Sequence, residues 1–566
     1  MRIALPVVGL TITAVLWTLV ESTTSSAMVR CGVLWTVFGA AWAGIAMITR
    51  FAPASPATGW LERHLPAAPV RFSASRRVFA VALGAIFLVA FWSWGSQVRG
   101  LVGERGLFPV SEQLAALDPE QPWWRTPTFC WLASGDASLL VQCWLGAALS
   151  LVMALGFCPG ACALLCWALY LSLMSVGETF ANFQWDALLL EGSLLAALWL
   201  PWRARPDWGC ETAAQRVGRW LLWWLFFRLM IESGVVKLTW SDDAWLDYSA
   251  LDFHFESQPL PLWTSWYAHH APRWLLRTCC WVMYFIEIAT PVLLFAPSRM
   301  RSLRHAAVIA QVLLQAAILA TGNYTYFNWL TIALCLPFLD DSAPFLRRLQ
   351  KPPPASPKAH RWSLVPAGVL ALASGIYGFE GFAGAFGGLR AQESEMQSLR
   401  DEYRRTGKIP APPWHQGLRS FNGYGLFRTM TRTRPEIILE GSADGISWRE
   451  YGFPYKAGDV HERPALVAPH QPRLDWQMWF AALSPAHHGR LLERLIQRVL
   501  EGEPAVLALL EKNPFPDGPP RFARLSFHEY RFTRPEDRTA AWWKRELRGS
   551  TQAISLESLR RPGSAP

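Results

Sequence analysis

The amino-acid sequence predicts an α-helical polytopic membrane protein of about 11 spans, followed by a C-terminal extracytoplasmic β-rich domain of β-sandwich or jelly-roll type. Of its 566 residues, 52% are hydrophobic and only 17% are charged, whereas soluble domains carry roughly a quarter charged residues. The 32 Trp residues suit a protein with many membrane–water interfaces. After Gly388 the sequence becomes charged, rich in Pro and β-like. These three observations fix the predicted fold class.

The spans are predicted from apolar stretches that approach or reach the ~20 residues needed to cross a bilayer. The first stretch follows Arg2 and resembles a signal peptide, but a second apolar stretch follows it at once, so we interpret it as a retained span. The stretches fall at 4–20, 28–49, 78–94, 138–156, 160–176, 186–201, 218–236, 278–296, 306–320, 327–339 and 363–386.

The distribution of basic residues predicts the orientation. With the N-terminus in the cytoplasm, the cytoplasmic loops hold 17 Lys and Arg side chains and the opposite loops hold seven. The positive-inside rule therefore predicts a cytoplasmic N-terminus and an extracytoplasmic C-terminal domain. The net charge of +10 reflects these short loop clusters and not a nucleic-acid surface. The expected partner of the bundle is membrane lipid.

The C-terminal part is predicted to be β-rich with short helices. Residues 435–451 are typical of a strand, an Asp-Gly turn and a second strand, 488–511 are predicted to be helical, and 521–532 alternate like a strand. We divide the chain into two additional N-terminal spans (1–60), a multi-span membrane domain (61–388), the β-rich domain (389–540) and a basic, flexible tail (541–566).

Ionisable residues inside the membrane domain form the candidate polar pocket. Such groups are costly at membrane depth and need partners. The acids Glu178, Asp186 and Glu191 lie in a region without Lys or Arg, and the seventh span carries Arg228, Glu232 and Lys237. We therefore expect Asp186 or Glu191 to pair with Arg228 or Lys237. Two interpretations stay open: a structural ion-pair network and a functional pocket on the outer face.

Two further segments are predicted to join the same face. They contribute His254, His269, His270 and Asn323. Adjacent His side chains on a helix diverge by about 100°, and the spacing matches no standard zinc pattern, so no metal is predicted. No nucleotide or nucleophile motif stands in a credible setting, which predicts no cofactor.

Several ordered blocks of sequence are similar to the lipase maturation factor family. The resemblance extends from about Arg77 to Phe532. The blocks are Gly177-Glu-Thr-Phe180, Phe183-Gln-Trp-Asp-Ala-Leu-Leu-Leu-Glu191, Glu232-Ser-Gly-Val-Val-Lys-Leu238, His254-Phe-Glu-Ser-Gln-Pro-Leu-Pro261, Trp266-Tyr-Ala-His-His270, Thr321-Gly-Asn-Tyr324, Ile438-Leu-Glu-Gly-Ser442 and Arg473-Leu-Asp-Trp-Gln-Met-Trp-Phe-Ala-Ala482.

The resemblance implies a chaperone-like membrane factor, and not an enzyme, that helps secreted or exported clients such as lipases reach their active state. The membrane part is also distantly similar to the helical bundle of vitamin K-dependent γ-carboxylase. That likeness keeps an alternative open: an enzyme acting at the outer face on a protein or lipid-linked substrate. The Ala-, Arg- and Trp-rich composition indicates a bacterial inner membrane, and a eukaryotic source would imply the endoplasmic reticulum membrane.

One block in the C-terminal part suggests a client-binding surface. Large aromatic side chains together with Arg are enriched at the cores of protein interfaces. The candidates are Arg473, Asp475, Trp476, Trp479 and Phe480. The alternative is that these side chains fill the core of the β-rich domain.

Overall fold

The computed structural model describes residues 71–117, 123–206, 208–297, 300–349, 364–406, 414–537 and 539–559. The first two predicted spans lie outside the described residues. In chain order, the helices of the membrane part are α1 (Ser73–Gly95), α2 (Val98–Val102), α3 (Val110–Ala115), α4 (Asp136–Ala154), α5 (Pro159–Ser175), α6 (Gln184–Trp199), α7 (Ala213–Thr239), α8 (Asp243–Leu246), α9 (Ala250–Ser257), α10 (Trp263–His269), α11 (Arg273–Tyr284), α12 (Thr290–Leu293), α13 (Arg301–Leu319), α14 (Phe327–Cys335) and α15 (Leu364–Thr406).

Each apolar stretch predicted within the described residues corresponds to a helix of the bundle. Five helical segments there are long and apolar enough to cross a membrane: α1, α4, Arg273–Leu293, α13 and Val365–Gly388 of α15. The segments Pro159–Ser175 and Phe327–Phe338 are apolar but shorter. The predicted count of about 11 spans is therefore not confirmed.

The bundle helices run alternately in opposite directions. The C-terminal ends of α1, α5, α7 and α13 consequently meet the N-terminal ends of α4, α6 and α14 at one end of the bundle, which we call the domain end because the C-terminal part packs there. Exposed Trp131 and Trp274 lie near the domain end, and exposed Trp202 and Trp220 lie near the other. Aromatic residues at both ends are typical of the two membrane–water interfaces.

The C-terminal part combines one antiparallel sheet with short helices. The sheet has the order β2-β1-β3-β4, and both β1–β3 and β3–β4 pair over most of their length. The elements are α16 (Trp414–Gly417), β1 (Arg434–Ser442), β2 (Arg449–Glu450), α17 (Arg473–Leu483), α18 (Gly489–Leu500), α19 (Pro504–Leu507), β3 (Phe522–Phe532), β4 (Trp543–Ser550) and α20 (Leu556–Leu559).

The predicted hairpin, helix and strand of this part are confirmed. β1 and β2 pair around the Asp444-Gly445 turn, where Gly445 adopts a φ of +79°, a conformation that glycine accepts without a steric cost. The predicted helix is divided into α18 and α19, because Gly502 takes a left-handed conformation between them. A β-sandwich is not confirmed, since the described residues form a single four-stranded sheet.

The structure differs from the expected flexible tail after residue 540. Residues 543–550 form β4, although seven of its eight residues are exposed. A strand without a buried face shows no alternation of apolar and polar residues, so its sequence gives no strand signal. Its order comes from pairing with the edge of β3.

Candidate functional site

Asp186 lies at the beginning of α6, buried at the domain end of the bundle. Its two carboxylate oxygens accept hydrogen bonds from both terminal nitrogens of Arg473, each at 3.0 Å. The hydroxyl groups of Tyr170 and Tyr326 donate to the same carboxylate at 2.5 Å. Arg473 belongs to α17, so this ion pair joins the C-terminal part to the membrane bundle.

Further contacts of α17 fix it against the bundle. The guanidinium of Arg473 lies 4.1 Å from the ring centre of Trp94, within cation–π range. The Gln97 side chain accepts from the Arg473 N–H at 2.9 Å, and the side chains of Thr179 and Gln477 bond at 2.9 Å. The Trp479 indole donates to the Ser257 carbonyl at 3.0 Å. Side chains of several bundle elements therefore hold this one helix.

Glu191 lies five residues further along α6, about one and a half turns, and pairs with Arg228 of α7, whose guanidinium donates to it. Arg228 also lies 3.9 Å from Glu232, four residues along the same helix. All three side chains are buried. The prediction that Asp186 or Glu191 pairs with Arg228 or Lys237 is confirmed for Glu191. Because the prediction required only one of the two acids to pair in this way, it holds, and Asp186 pairs instead with Arg473 of the C-terminal part.

A segment of the C-terminal part forms four further hydrogen bonds with this second cluster. The Arg228 guanidinium donates to the Asn422 carbonyl at 2.8 Å, and the Asn422 N–H donates to Glu191 at 3.1 Å. The Tyr424 hydroxyl donates to Glu191 at 2.8 Å, and the Tyr424 N–H donates to Glu232 at 2.5 Å. We call residues 418–427 the inserted segment.

The inserted segment passes between the bundle helices with a non-helical backbone. The Trp167 indole on α5 donates to Ser420 at 2.9 Å. A Cβ added to Gly381 of α15 would lie 3.0 Å from Gly423, so the two backbones are in close contact there. Irregular backbone at membrane depth is tolerated only where protein satisfies its polar groups. Glu191, Arg228 and Glu232 are the hydrogen-bond partners of the backbone groups of Asn422 and Tyr424.

Lys237 forms a separate pair near the end of α7. Its amine lies 2.8 Å from Glu287, in the π-turn Phe285–Ala289 that follows α11, and it also donates to the Ser233 carbonyl. Glu178 stands apart, half-buried in the 3₁₀ turn Glu178–Ala181, and the ion pairs of the described residues do not include it. The expected single pocket is therefore divided into separate pairs.

His254 and Asn323 take part in the contact between the bundle and the C-terminal part. The Tyr324 hydroxyl lies 3.1 Å from Nε2 of His254. The Asn323 amide donates to the Ala465 carbonyl at 2.9 Å and accepts from the Val467 N–H at 2.8 Å. Burial lowers the pKa of His254 to about 4. Both residues were expected at this face, and His254 also contacts the C-terminal part, since its ring centre lies 4.9 Å from that of Phe427.

The adjacent His269 and His270 do not converge on a common point. His269 lies 3.6 Å from Glu256, whereas Nδ1 of His270 bonds to the Trp266 carbonyl at 2.7 Å. Burial lowers the pKa of His269 to about 4. Within the described ranges, no group of three or more His, Cys, Asp or Glu side chains could hold a metal ion.

The five candidate client-binding residues lie on α17, which is packed against the bundle. Arg473, Asp475, Trp476 and Trp479 are buried, and Phe480 is half-buried. Asp475 accepts from the backbone N–H groups of 455 and 456, and burial raises its pKa to about 6. The expectation of an exposed binding surface here is corrected, because these side chains form an interface within the chain.

Sequence reasoning missed a second docking arginine, Arg434 of β1. Its guanidinium donates to the carbonyls of Glu256, Gln258 and Pro259, at 2.9, 2.5 and 3.0 Å, and pairs with Glu436 at 2.8 Å. Lys456 lies 3.0 Å from the same Glu436. The signal for this cluster was weak, since Arg434 lies in an exposed-looking run of basic residues between 428 and 434.

The comparisons with known proteins agree with this division of the chain. A family model described as the lipase maturation factor transmembrane domain matches residues 74–345, and one described as the lipase maturation factor C-terminal domain matches 420–553. Lipase maturation factor 2 of Rattus norvegicus is 34% identical, over 83% of this chain and 81% of the relative. The chain belongs to the lipase maturation factor family.

Other members of the lipase maturation factor family give the same result. Lipase maturation factor 2 of Homo sapiens is 33% identical over 83% of this chain and 81% of its own length, and lipase maturation factor 1 of Bos taurus is 31% identical over 88% and 93%. No solved structure matches. Asp186 lies in the transmembrane family domain and Arg473 in the C-terminal family domain, so their ion pair connects the two.

Proposed function

We propose that this member of the lipase maturation factor family is a membrane-anchored maturation factor that helps exported proteins of the lipase type reach their active state. The family supports the general role. The observation that carries the mechanism is the buried Arg473–Asp186 pair, because it holds the C-terminal part in one position on the bundle. The bundle then acts as a rigid base that presents the outer surface of the sheet to clients.

The charge network supports a structural role over the alternative of an outer-face enzyme. Glu191, Arg228 and Glu232 are completely buried, and most of their hydrogen-bonding atoms are used by one another and by the inserted segment; among the described residues, Nε of Arg228 and Oε1 of Glu232 have no hydrogen-bond partner. A catalytic acid or base must reach its substrate within about 2.6–3.2 Å. The backbone of Asn422 to Tyr424 occupies that position.

We further propose that the domain end faces the extracytoplasmic compartment and that the N-terminus is cytoplasmic. The bundle end opposite the C-terminal part carries many arginines, as the positive-inside rule requires for a cytoplasmic face. Among them are Arg76, Arg203, Arg205, Arg216, Arg219, Arg301, Arg304, Arg347 and Arg348. The vertebrate source of the relatives favours the endoplasmic reticulum membrane over the bacterial inner membrane expected from composition.

The test is restoration of lipase activity in cells that lack their own lipase maturation factors. Expression of this chain should raise the specific activity of a secreted dimeric lipase while the secreted amount changes little. Deleting the C-terminal part is a poor test, since it would leave Asp186 without Arg473, and would remove the inserted segment that bonds to Glu191 and Arg228. Point variants are therefore preferable, and unchanged lipase specific activity with the intact chain would refute the proposal.

Glu191→Gln separates the maturation factor from the enzyme. A maturation factor should lose stability and abundance, since the Arg228 pair is broken, yet keep its activity per folded molecule. An enzyme using Glu191 should lose activity per folded molecule. The folded amount is measured as the monodisperse fraction in detergent, and Glu112→Gln, at a half-exposed surface pair with Arg494, is the matched control.

A further inference from the structure

The last strand of the sheet leaves one edge open. β4 pairs with β3 on one side, and among the residues that the structure describes no strand pairs with its other side, which we call the outer edge. Within the described part of the chain, backbone hydrogen bonds along that edge lie at its beginning, where the Val460 carbonyl accepts from the N–H groups of Trp542 and Trp543 at 2.9 and 3.1 Å. The outer edge is thus able to pair, and its pairing stops after Trp543.

The backbone groups beyond Trp543 are directed to the same side. Alternate residues of an antiparallel strand direct their N–H groups to opposite edges. The N–H groups of Arg545 and Leu547 therefore point the same way as that of Trp543, away from β3. A register shift opposite Phe527 and His528 then interrupts the regular pattern. The open edge is a short row of unpaired donors and acceptors, which is the template for adding an extended strand.

The side chains of β4 decide which strand could be added. On the strand itself Lys544, Arg545 and Arg548 outnumber Glu546, so β4 carries a net positive charge, although each base also has an exposed or half-exposed acidic partner in the chain: Asp537, Glu450 and Glu546 respectively. A second copy of β4 would place basic side chains against basic side chains, which is destabilising across strands. An acidic or neutral strand meets no such repulsion. The residues of β4 beyond Trp543 are exposed, including Leu547 with 59% exposed. No other part of the described chain therefore covers β4 on either face of the sheet, and the side chains of an added strand would not be obstructed there.

We propose that the outer edge of β4 binds an extended acidic or neutral segment of an incompletely folded client as an additional strand. This inference rests on the proposed function and names the surface through which a client is held. Backbone pairing needs no particular client sequence, and it is lost when the client segment folds and uses its own backbone groups. A maturation factor needs both properties.

The experiment uses the full chain purified in detergent and an acidic, permanently unfolded probe, reduced and carboxymethylated α-lactalbumin. The matched control is the same protein with its disulfides intact and its backbone folded. The unfolded probe should bind, the folded one should not, and amide hydrogen exchange of residues 545–547 should slow when the unfolded probe is present. Binding of both forms alike, or protection confined to another surface, would overturn the proposal.

Two substitutions with opposite expected signs test the charge requirement without touching the β3–β4 ladder. Arg548→Glu should weaken binding of the acidic probe several-fold, and Glu546→Lys should strengthen it several-fold, since both side chains are more than half exposed. Arg545→Pro removes one outer N–H and should also weaken binding. Unchanged affinity in all three variants, or self-association of the chain that Arg548→Glu abolishes, would overturn it.

The lipase assay distinguishes a failure of the β4 inference from a failure of the proposed function. If the chain restores lipase activity but the probe does not protect residues 545–547, the β4 inference fails and the proposed function stands. If the intact chain does not restore lipase activity, the proposed function itself fails.

Discussion

The guanidinium of Arg473 and the carboxylate of Asp186 form a two-point ion pair across 287 residues of sequence, with both N–O distances at 3.0 Å. Each residue belongs to a different family domain, and both are buried. This charge pair therefore couples the fold of the membrane bundle to the position of the C-terminal part, together with the contacts of the inserted segment and of Arg434.

Breaking this pair from either side should strongly destabilise the protein. Arg473→Met or Asp186→Leu alone leaves one buried charge without its partner, which costs about 3–5 kcal/mol. The double variant leaves no unpaired charge and should recover much of that loss. Denaturant unfolding in detergent measures the coupling between the two sites.

The control is the surface pair of Arg494 and Glu112, whose side chains are 26% and 48% exposed. Arg494→Ala should cost less than about 1 kcal/mol. Additive losses in the Arg473 and Asp186 double variant would contradict the coupling.

The inserted segment requires glycine at its contact with α15. A Cβ on Gly381 would lie 3.0 Å from Gly423, so Gly381→Ala should push the two backbones apart and lower the free energy of unfolding by about 1–3 kcal/mol. Gly375→Ala is the matched control on the same helix, with nothing within 4 Å of the added Cβ. It should be neutral or stabilising by up to about 1 kcal/mol. Equal effects at both positions would exclude a close contact.

Stability should decrease as the pH falls from about 6.5 towards 4. Burial lowers the pKa of His254, His269 and His470 to about 4, so the folded state binds fewer protons than the unfolded state in this range. Each group contributes a slope of at most about 1.4 kcal/mol per pH unit. The raised pKa of Asp475, about 6, acts in the opposite direction, because its contribution is lost as the pH rises.

The pH prediction is checked by denaturant unfolding at pH 7.5 and pH 5. His470→Gln should reduce the difference between the two values, because it removes one of the groups whose pKa is lowered by burial. A difference of the same size in the His470 variant would refute the assignment of the slope to this group.

Reporter fusions test the orientation. A fusion after Arg348 should behave as cytoplasmic and a fusion after Ser394 as exported, because the Val365–Gly388 span lies between them. The reverse pattern at either site would place the C-terminal part in the cytosol and remove its access to exported clients.

The sequon at Asn323 should remain without a glycan when the chain is expressed in eukaryotic cells. Asn323 is only 2% exposed, and both ends of its side-chain amide are hydrogen-bonded. Gly445→Asn creates a sequon with Ser447 in the exposed β1–β2 turn and should be modified if the sheet is lumenal. Enzymatic removal of glycans, followed by measurement of the mass, checks both sites.

The sequence by itself determined which stretches become helices and where the hairpin lies. Apolar runs predict the bundle helices because burial in lipid or protein depends on local composition, and the Asp444-Gly445 turn fixes its own hairpin. The pair of Glu191 and Arg228 was also predictable, since they are oppositely charged groups on consecutive bundle helices, α6 and α7. These are properties of neighbouring residues or neighbouring elements.

Only the tertiary structure decided which acidic side chain pairs with which basic side chain. The sequence could not show that Arg473 forms an ion pair with Asp186 or that Lys237 forms one with Glu287. It also could not show that a non-helical segment lies between the bundle helices beside Glu191. A buried acid can be neutralised by any base that packing brings within a few ångströms, so its partner depends on the arrangement of the whole chain. For the same reason β4 could not be predicted from the sequence, because its strand conformation comes from pairing with the edge of β3 and not from a pattern in its own residues.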